Sequence, residues 1–409
     1  MVYRALSDVR VIDLTHYIAG PYATRLLAQF GADVIKVEPP CGEGGRRLGP
    51  HRAASAGDRL AERGGLFAFL NADKTGVALN LKDARGRELL MRLVADADLL
   101  YENFAPGTLT RLGLGPDDLI ARFPRLSIVS ISNYGQDGPD RDAPVNDIVL
   151  AGRGGWTFAV GEPKREPLSP PGSLPQYVGA VYAALGGIQA LFARDLGLGR
   201  GQRVDVSLLE TTVATMIYDT VAFQYTGMLR VRRGKQYATG PFLIATLRCR
   251  DGYAGLHCVS DRQFRALFEM MGRPELVHDE RFASAPARMA NNAALVELVE
   301  AFFAGHDAAW LYREGQRRGI PLVPIPTVAQ VLEWEQLTAR RYFETIDDPA
   351  LGPIRIPGAP LRLGSHRAAP SRPAPRLGEH NRAVLGGRLG LSEGELRRLR
   401  EDGVLGGML

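Results

Sequence analysis

The chain has 409 residues, 45% of them hydrophobic, which is enough for two domains or one large domain with an insertion around a substantial core. Fifty Lys+Arg against 45 Asp+Glu give a net charge of +5. With no Lys/Arg-rich run and scattered aromatics, this mild excess argues against nucleic acid and suits an anionic small molecule. Cys41, Cys249 and Cys258 show no CxxC spacing, which argues against a disulfide framework or a zinc site. The opening MVYRALSDVR carries no apolar signal core, and no run approaches the ~20 apolar residues of a membrane span. The expectation is a soluble, cytoplasmic protein without a bound metal.

Arg10 to Pro40 reads as strand, glycine turn, helix and second strand. Val11 and Ile12 are β-branched, Ala19-Gly20-Pro21 breaks the run, and Tyr22, Leu26, Leu27 and Phe30 recur at helical spacing. Gly31 stops the helix, and Val34 to Val37 forms the next strand. This is a βαβ unit of a parallel sheet, with the amides of the helix start aimed beyond the first strand. The dinucleotide fingerprint GxGxxG is absent.

Cys41 to Gly65 reads as a glycine-rich, charged loop, followed by a strand at Val77 to Leu81 and a helix from Ala84 to Ala95 behind an Asp83 cap. Asp98 to Tyr101 is a strand that runs into ENFAPG at 102–107, the carboxyl end where open α/β sheets take ligands. Leu126 to Ile131 is another strand, followed by a polar loop to Asn146. Gly179 to Ala193 is an apolar helix with small residues on one side. Leu208 to Thr226 reads as one long helix, buried or interfacial.

Beyond residue 227 the pattern changes. A hairpin turns at Asp251-Gly252, and helices follow over Asp261 to Met271, Asn291 to Phe303 and Asp307 to Arg318. The predicted organisation is an α/β large domain opened by residues 1–226, a small α+β domain at 227–318, and a return segment at 319–409 that completes the large domain. Within the return, PLVPIPTV (321–328) reads as the extended connection, and Ser392 with Glu395 reads as a capping box. Arg230 to Lys235 is the densest basic stretch, as readily a solvated loop as a phosphate contact.

Eight blocks in order carry a resemblance: DLTHYIAGPYATRLLAQFGADVIKVEPP (13–40), LNADKTGVALNLKD (70–83), ENFAPGTLTRLGL (102–114), ISNYGQDGP (131–139), GQRVDVSLLE (201–210), DGYAGLHCVSDRQFRALFEMMGRPEL (251–276), GIPLVPIPTVAQVL (319–332) and PRLGEHNRAVL (375–385). Over almost its whole length the chain resembles the class III CoA-transferase family of CaiB/BaiF type, which includes formyl-CoA transferase and α-methylacyl-CoA racemase. The resemblance implies a Rossmann-like large domain built from both chain ends, interlocked dimers, and coenzyme A or acyl-CoA as substrate. By position it implies that Tyr17, Ile18, Lys74, Asn103, Phe104 and Arg111 touch CoA, the two cations pairing with its phosphates. Pro39 departs from an arginine found in some members.

The departures lie at the chemical positions. The family's transferases use an Asp before the apolar helix as nucleophile, and that position falls on Gln176 here, with no Asp or Glu between Glu166 and Asp195. The racemases place a His before Asp147, and the residue here is Asn146. A glycine-rich run of some transferases is not evident at 234–240. His16 reads as a wall residue more than a catalytic one, Asp147 as a hydrogen-bonding acid, and Asn133, Tyr134 and Tyr177 as further polar groups of the pocket. The expectation is an acyl-CoA enzyme of non-standard mechanism, with Gln176 and Asn146 orienting the substrate. The alternatives are a nucleophile-less subunit paired with a paralogue, or a repurposed CoA-binding or isomerase/lyase-type protein.

Overall fold

The structure, a computed structural model, describes residues 4–50, 64–236, 242–349, 352–364, 366–367 and 372–409. Most of the predicted 41–65 loop and of the 234–240 segment therefore lies outside the described residues. The chain divides into two compact units, residues 1–156, 170–226 and 338–409 in the first and 157–169 with 227–337 in the second.

The first unit is built on a six-stranded parallel sheet: β1 (Arg10–Asp13), β2 (Asp33–Glu38), β3 (Thr75–Ala78), β4 (Leu99–Glu102), β5 (Ser127–Ser132) and β6 (Arg203–Ser207). Their order is β3-β2-β1-β4-β5-β6, every neighbouring pair parallel. The strand order reverses between β1 and β4, so the loops at their carboxyl ends diverge and leave a crevice. Alternation of side chains splits the core. Val11, Val34, Leu99 and Val129 face the helices Ala19–Gln29 and Leu174–Ala193, while Ile12, Ile35, Leu100 and Ile128 face Ala84–Val94 and the C-terminal residues Val384, Leu385 and Leu396.

The small residues of Leu174–Ala193 follow from close packing. A Cβ at Gly187 would stand 2.0 Å from Tyr101 Oη, and one at Gly179 would stand 2.1 Å from Leu208 Cδ2. Tyr101 Oη donates to Ala183 O at 3.1 Å, which satisfies the one polar atom of a fully buried ring.

The C-terminal segment is tied to the β3 edge of this sheet. Asn381 accepts from Ala78 N at 3.0 Å and donates to Gly406 O and Met408 O, both at 2.8 Å, while Leu405 bridges to Leu79. The predicted capping box at Ser392 and Glu395 is formed.

The predicted 208–226 helix is two helices, Leu208–Ala214 and Ile217–Thr226. Thr211 and Thr212 donate back to Leu208 O, and Thr215 donates to Thr212 O while accepting from Trp156 Nε1 at 2.6 Å. Such threonine back-bonding competes with the helical ladder.

The second unit holds a three-stranded antiparallel sheet, β7 (Leu243–Cys249), β8 (Gly252–Cys258) and β9 (Leu322–Pro324), against the helices Asp261–Met270, Asn292–Ala304 and Ala308–Arg317. The hairpin forms where the sequence places it. The reading of PLVPIPTV as the return does not hold, because Leu322 and Val323 pair with Leu256 and Gly255 of β8. The crossing falls after Leu337. The basic stretch serves this unit internally, with Arg232 over the Phe158 ring and bonded to Phe158 O, and Lys235 paired with Glu300.

Candidate active site

A cavity of about 550 Å³ opens in the first unit at the crevice between β1 and β4, walled by Tyr17, Ala19, Asn103, Phe104, Val145 and Gln176 among others. Its geometry begins with a charge buried under the first strand.

Asp13 closes β1 and is fully buried. It accepts from Lys74 Nζ (2.9 Å), Thr24 Oγ1 (2.7 Å), Thr15 N (2.9 Å) and Thr15 Oγ1 (2.5 Å). Burial alone would raise its carboxyl, but Lys36 and Lys74 together with these donors hold it well below the usual carboxylate range. Burial in turn lowers the Lys74 ammonium to about 7, against the attraction of Asp13.

Lys74 is therefore a correction to the sequence reading. Its side chain is fully buried, and its three N–H bonds go to Asp13, Asn71 Oδ1 (2.8 Å) and Pro21 O (2.9 Å). No donor remains for a phosphate. What it does is tie the first turn of the helix Ala19–Gln29 to the strand beneath.

The loop from Thr15 to Tyr17 is fixed atom by atom. Lys36 Nζ donates to Thr15 O at 2.7 Å. Asn103 accepts from His16 N at 2.7 Å and donates to His16 O at 2.8 Å, so its amide is spent on the loop rather than free to read a ligand. Glu43 accepts from Tyr17 N at 3.2 Å and from Gly45 N. These bonds hold Tyr17 at φ 66, a left-handed backbone that a tyrosine adopts only when its surroundings impose it. Gly20 is required by Thr15, whose Cβ would lie 2.2 Å from a Cβ placed there. Glu43 and Asp13 escaped the sequence reading. The one available signal was an acid at the end of each of two runs that otherwise read as strand and loop.

With the loop held, the Tyr17 ring stands exposed and Phe104 half-buried on the cavity wall. The His16 ring packs edge-on against Phe104, centroids 5.4 Å apart. Burial and then Lys36 lower its pKa, so it is neutral at neutral pH and suits a wall. Ile18 precedes the helix and its carbonyl accepts from Tyr22 N. Arg111 is exposed, donating to Thr108 Oγ1 at 2.8 Å from the last turn of the helix Thr108–Arg111.

At the other end stand Gln176 and Asn146. Gln176 lines the cavity from the first turn of Leu174–Ala193, and its Nε2 donates to Asp147 Oδ1 at 3.0 Å. Asn146 caps the helix Asp147–Arg153, its Oδ1 accepting from Val149 N at 3.2 Å, so its side chain is engaged in capping. Tyr177 packs edge-on against Tyr22, Asn133 lines the cavity, and Tyr134 lies beneath the Arg153 guanidinium. Arg141 and Asp142 also line the cavity and bind each other at 3.0 Å. Among the described residues no cluster of three or more His, Cys, Asp or Glu could hold a metal ion, and no helix is long and apolar enough to cross a membrane.

The chain is 34% identical to the succinyl-CoA–D-citramalate CoA-transferase of Chloroflexus aurantiacus over 98% of both chains. It is 32% identical to the beta subunit of that organism's succinyl-CoA–L-malate CoA-transferase, again over 98% of both. The crystal structure of a CaiB/BaiF family protein from Brucella suis superposes with a TM-score of 0.82 at 32% identity, covering 94% of this chain and 99% of that one. Residues 6–381 match the profile of CoA-transferase family III. The chain belongs to CoA-transferase family III.

Proposed function

We propose that this protein transfers coenzyme A between an acyl-CoA thioester and a carboxylic acid, and that it does so without an aspartate at position 176. The observation that carries the reading is the place of Gln176: it stands in the wall of the cavity with its amide donated to a carboxylate, Asp147. An amide does not form an anhydride, but its N–H orients and polarises an oxygen. Tyr17 and Phe104 offer apolar faces for the nucleotide end of CoA, Arg141 is an exposed cation in the cavity wall, and Arg111, bonded to the carbonyl of the wall residue Pro106, is a second cation for its phosphates. Asn146, spent as a helix cap, takes no part.

Two copies interlock in this reading. Its support is apolar surface that a single chain leaves open: Phe192 (67% exposed) near the end of the helix Leu174–Ala193, and Ile217, Tyr218 and Tyr225 (86%) on the helix Ile217–Thr226. Free cysteines fit a reducing cytoplasm.

A test mixes the purified protein with succinyl-CoA or acetyl-CoA and a panel of mono- and dicarboxylic acids, and separates the CoA thioesters formed. A new thioester is the expected result. Calorimetry with free CoA runs beside it, and Phe104→Ala should weaken binding about tenfold by loss of stacking. CoA binding without turnover by any donor–acceptor pair would favour a second reading, a nucleophile-less subunit of a mixed dimer. One relative is itself the beta subunit of a CoA-transferase. In that case activity appears only when a paralogue is added.

A further inference from the structure

If the chain transfers CoA by a covalent route, some carboxylate must take the place of the missing aspartate. Few are eligible. Asp13 is buried and engaged by four donors. Glu102 is buried and accepts from Phe104 N at 2.9 Å. Asp142 lines the cavity, but its side chain is 69% exposed and neutralised by Arg141. Glu166 lies in the second unit.

Asp147 differs from all of these. It is half-buried, two residues beyond Val145, where the chain leaves the cavity lining. Its Oδ1 accepts from Gln176 at 3.0 Å, while its Oδ2 has no partner among the described residues. Its backbone is fixed at the first position of a helix capped by Asn146. It is thus a carboxylate with one oxygen oriented by Gln176, a side chain that itself lines the cavity, and the other free.

We propose that Asp147 is the nucleophile of the transfer, with Gln176 as its positioning residue; this rests on the reading that the protein transfers CoA. Oδ2 attacks the thioester carbonyl, the C–S bond breaks, and CoA leaves as thiolate, giving an anhydride between Asp147 and the acyl group. The thiolate then attacks Cγ of Asp147, the donor acid departs as carboxylate, and Asp147 carries CoA as a thioester. The acceptor carboxylate attacks that carbonyl and releases the thiolate, which attacks the acceptor's own carbonyl. A new acyl-CoA forms and Asp147 returns as carboxylate. No proton or electron is gained or lost over the cycle. When Cγ is attacked, negative charge develops on Oδ1, where the Gln176 N–H already points. Gln176 thereby stabilises a transition state on the neighbouring carboxylate.

The experiment uses the full chain with an acyl-CoA and acceptor pair that it turns over. Hydroxylamine is added during turnover, and the protein is digested and mapped by mass spectrometry. A hydroxamate on the Asp147 peptide is expected. Asp147→Asn should lose the label and reduce transfer by at least about a thousandfold, with free-CoA affinity unchanged in calorimetry. Gln176→Ala should lower kcat and leave KM for the acyl-CoA nearly unchanged, a split that a purely structural role would not give. A label on Asp142 or elsewhere, or full activity of Asp147→Asn, overturns the inference and leaves CoA transfer standing. Absence of transfer by the unsubstituted protein with every pair overturns both. If Asp147→Asn does not fold, the labelling of the unsubstituted protein decides alone.

Discussion

The two ends of the cavity are built in opposite ways. At the Tyr17 end, the backbone atoms of Thr15, His16 and Tyr17 are bonded by Asp13, Lys36, Asn103 and Glu43, three of them fully or almost fully buried. At the Gln176 end, one hydrogen bond joins two half-buried side chains. The first arrangement is costly to alter, since Asp13 is buried against Lys74 and the other buried charges are bonded to the loop backbone. The second can be rewritten at little cost to the fold.

The largest expected effect breaks the first end. Lys74→Met leaves Asp13 buried without its ammonium partner, and should destabilise the protein by about 3–5 kcal/mol in denaturant unfolding. A change near zero would mean that the Asp13–Lys74 pair adds nothing to the stability of this end. The next sharpens the contrast between the ends. Asn103→Ala removes both bonds to the His16 backbone and should cost roughly 1–3 kcal/mol together with measurable CoA affinity. Gln176→Ala removes one bond between half-buried groups and should cost less than about 1 kcal/mol. Equal losses in the two variants would remove the asymmetry.

The regions of this molecule that were legible in the sequence are those fixed by local pattern. The steps of strand, turn and helix from Arg10 to Ile131 predicted a parallel sheet because alternation and helical period are local signals. Asp251-Gly252 predicted its hairpin for the same reason. Lys74 was misread because its partner, Asp13, lies 61 residues away, and a cation beside a glycine turn looks the same whether it meets a phosphate or a buried acid. The break at Thr215 was missed because threonines tolerate a helix until their hydroxyls turn back on it. PLVPIPTV was extended, as read, but an extended segment does not announce which sheet it joins. At the site, Gln176 was named from the sequence as a candidate, and the structure places it in the cavity wall. Its bond to Asp147 was not legible in the sequence, because the two residues sit on different helices.

The smallest expected effect concerns Glu102, at the end of β4 where the cavity wall begins. Burial raises its carboxyl above the ordinary glutamate value, while the Phe104 amide partly opposes this. A carboxyl raised on folding binds its proton more tightly in the native state than in the unfolded one. Its favourable contribution is therefore complete below the unfolded value of 4.5 and is lost as the pH rises through the folded value. Glu102→Gln keeps a neutral side chain at every pH, and its carbonyl oxygen can still accept from Phe104 N. The Tm of the variant relative to the unsubstituted protein should therefore climb between pH 4 and pH 8. A gap that narrows over that range would mean that Glu102 is held as a carboxylate by a cation, and that the Phe104 wall, like the Thr15 loop, rests on a buried ion pair.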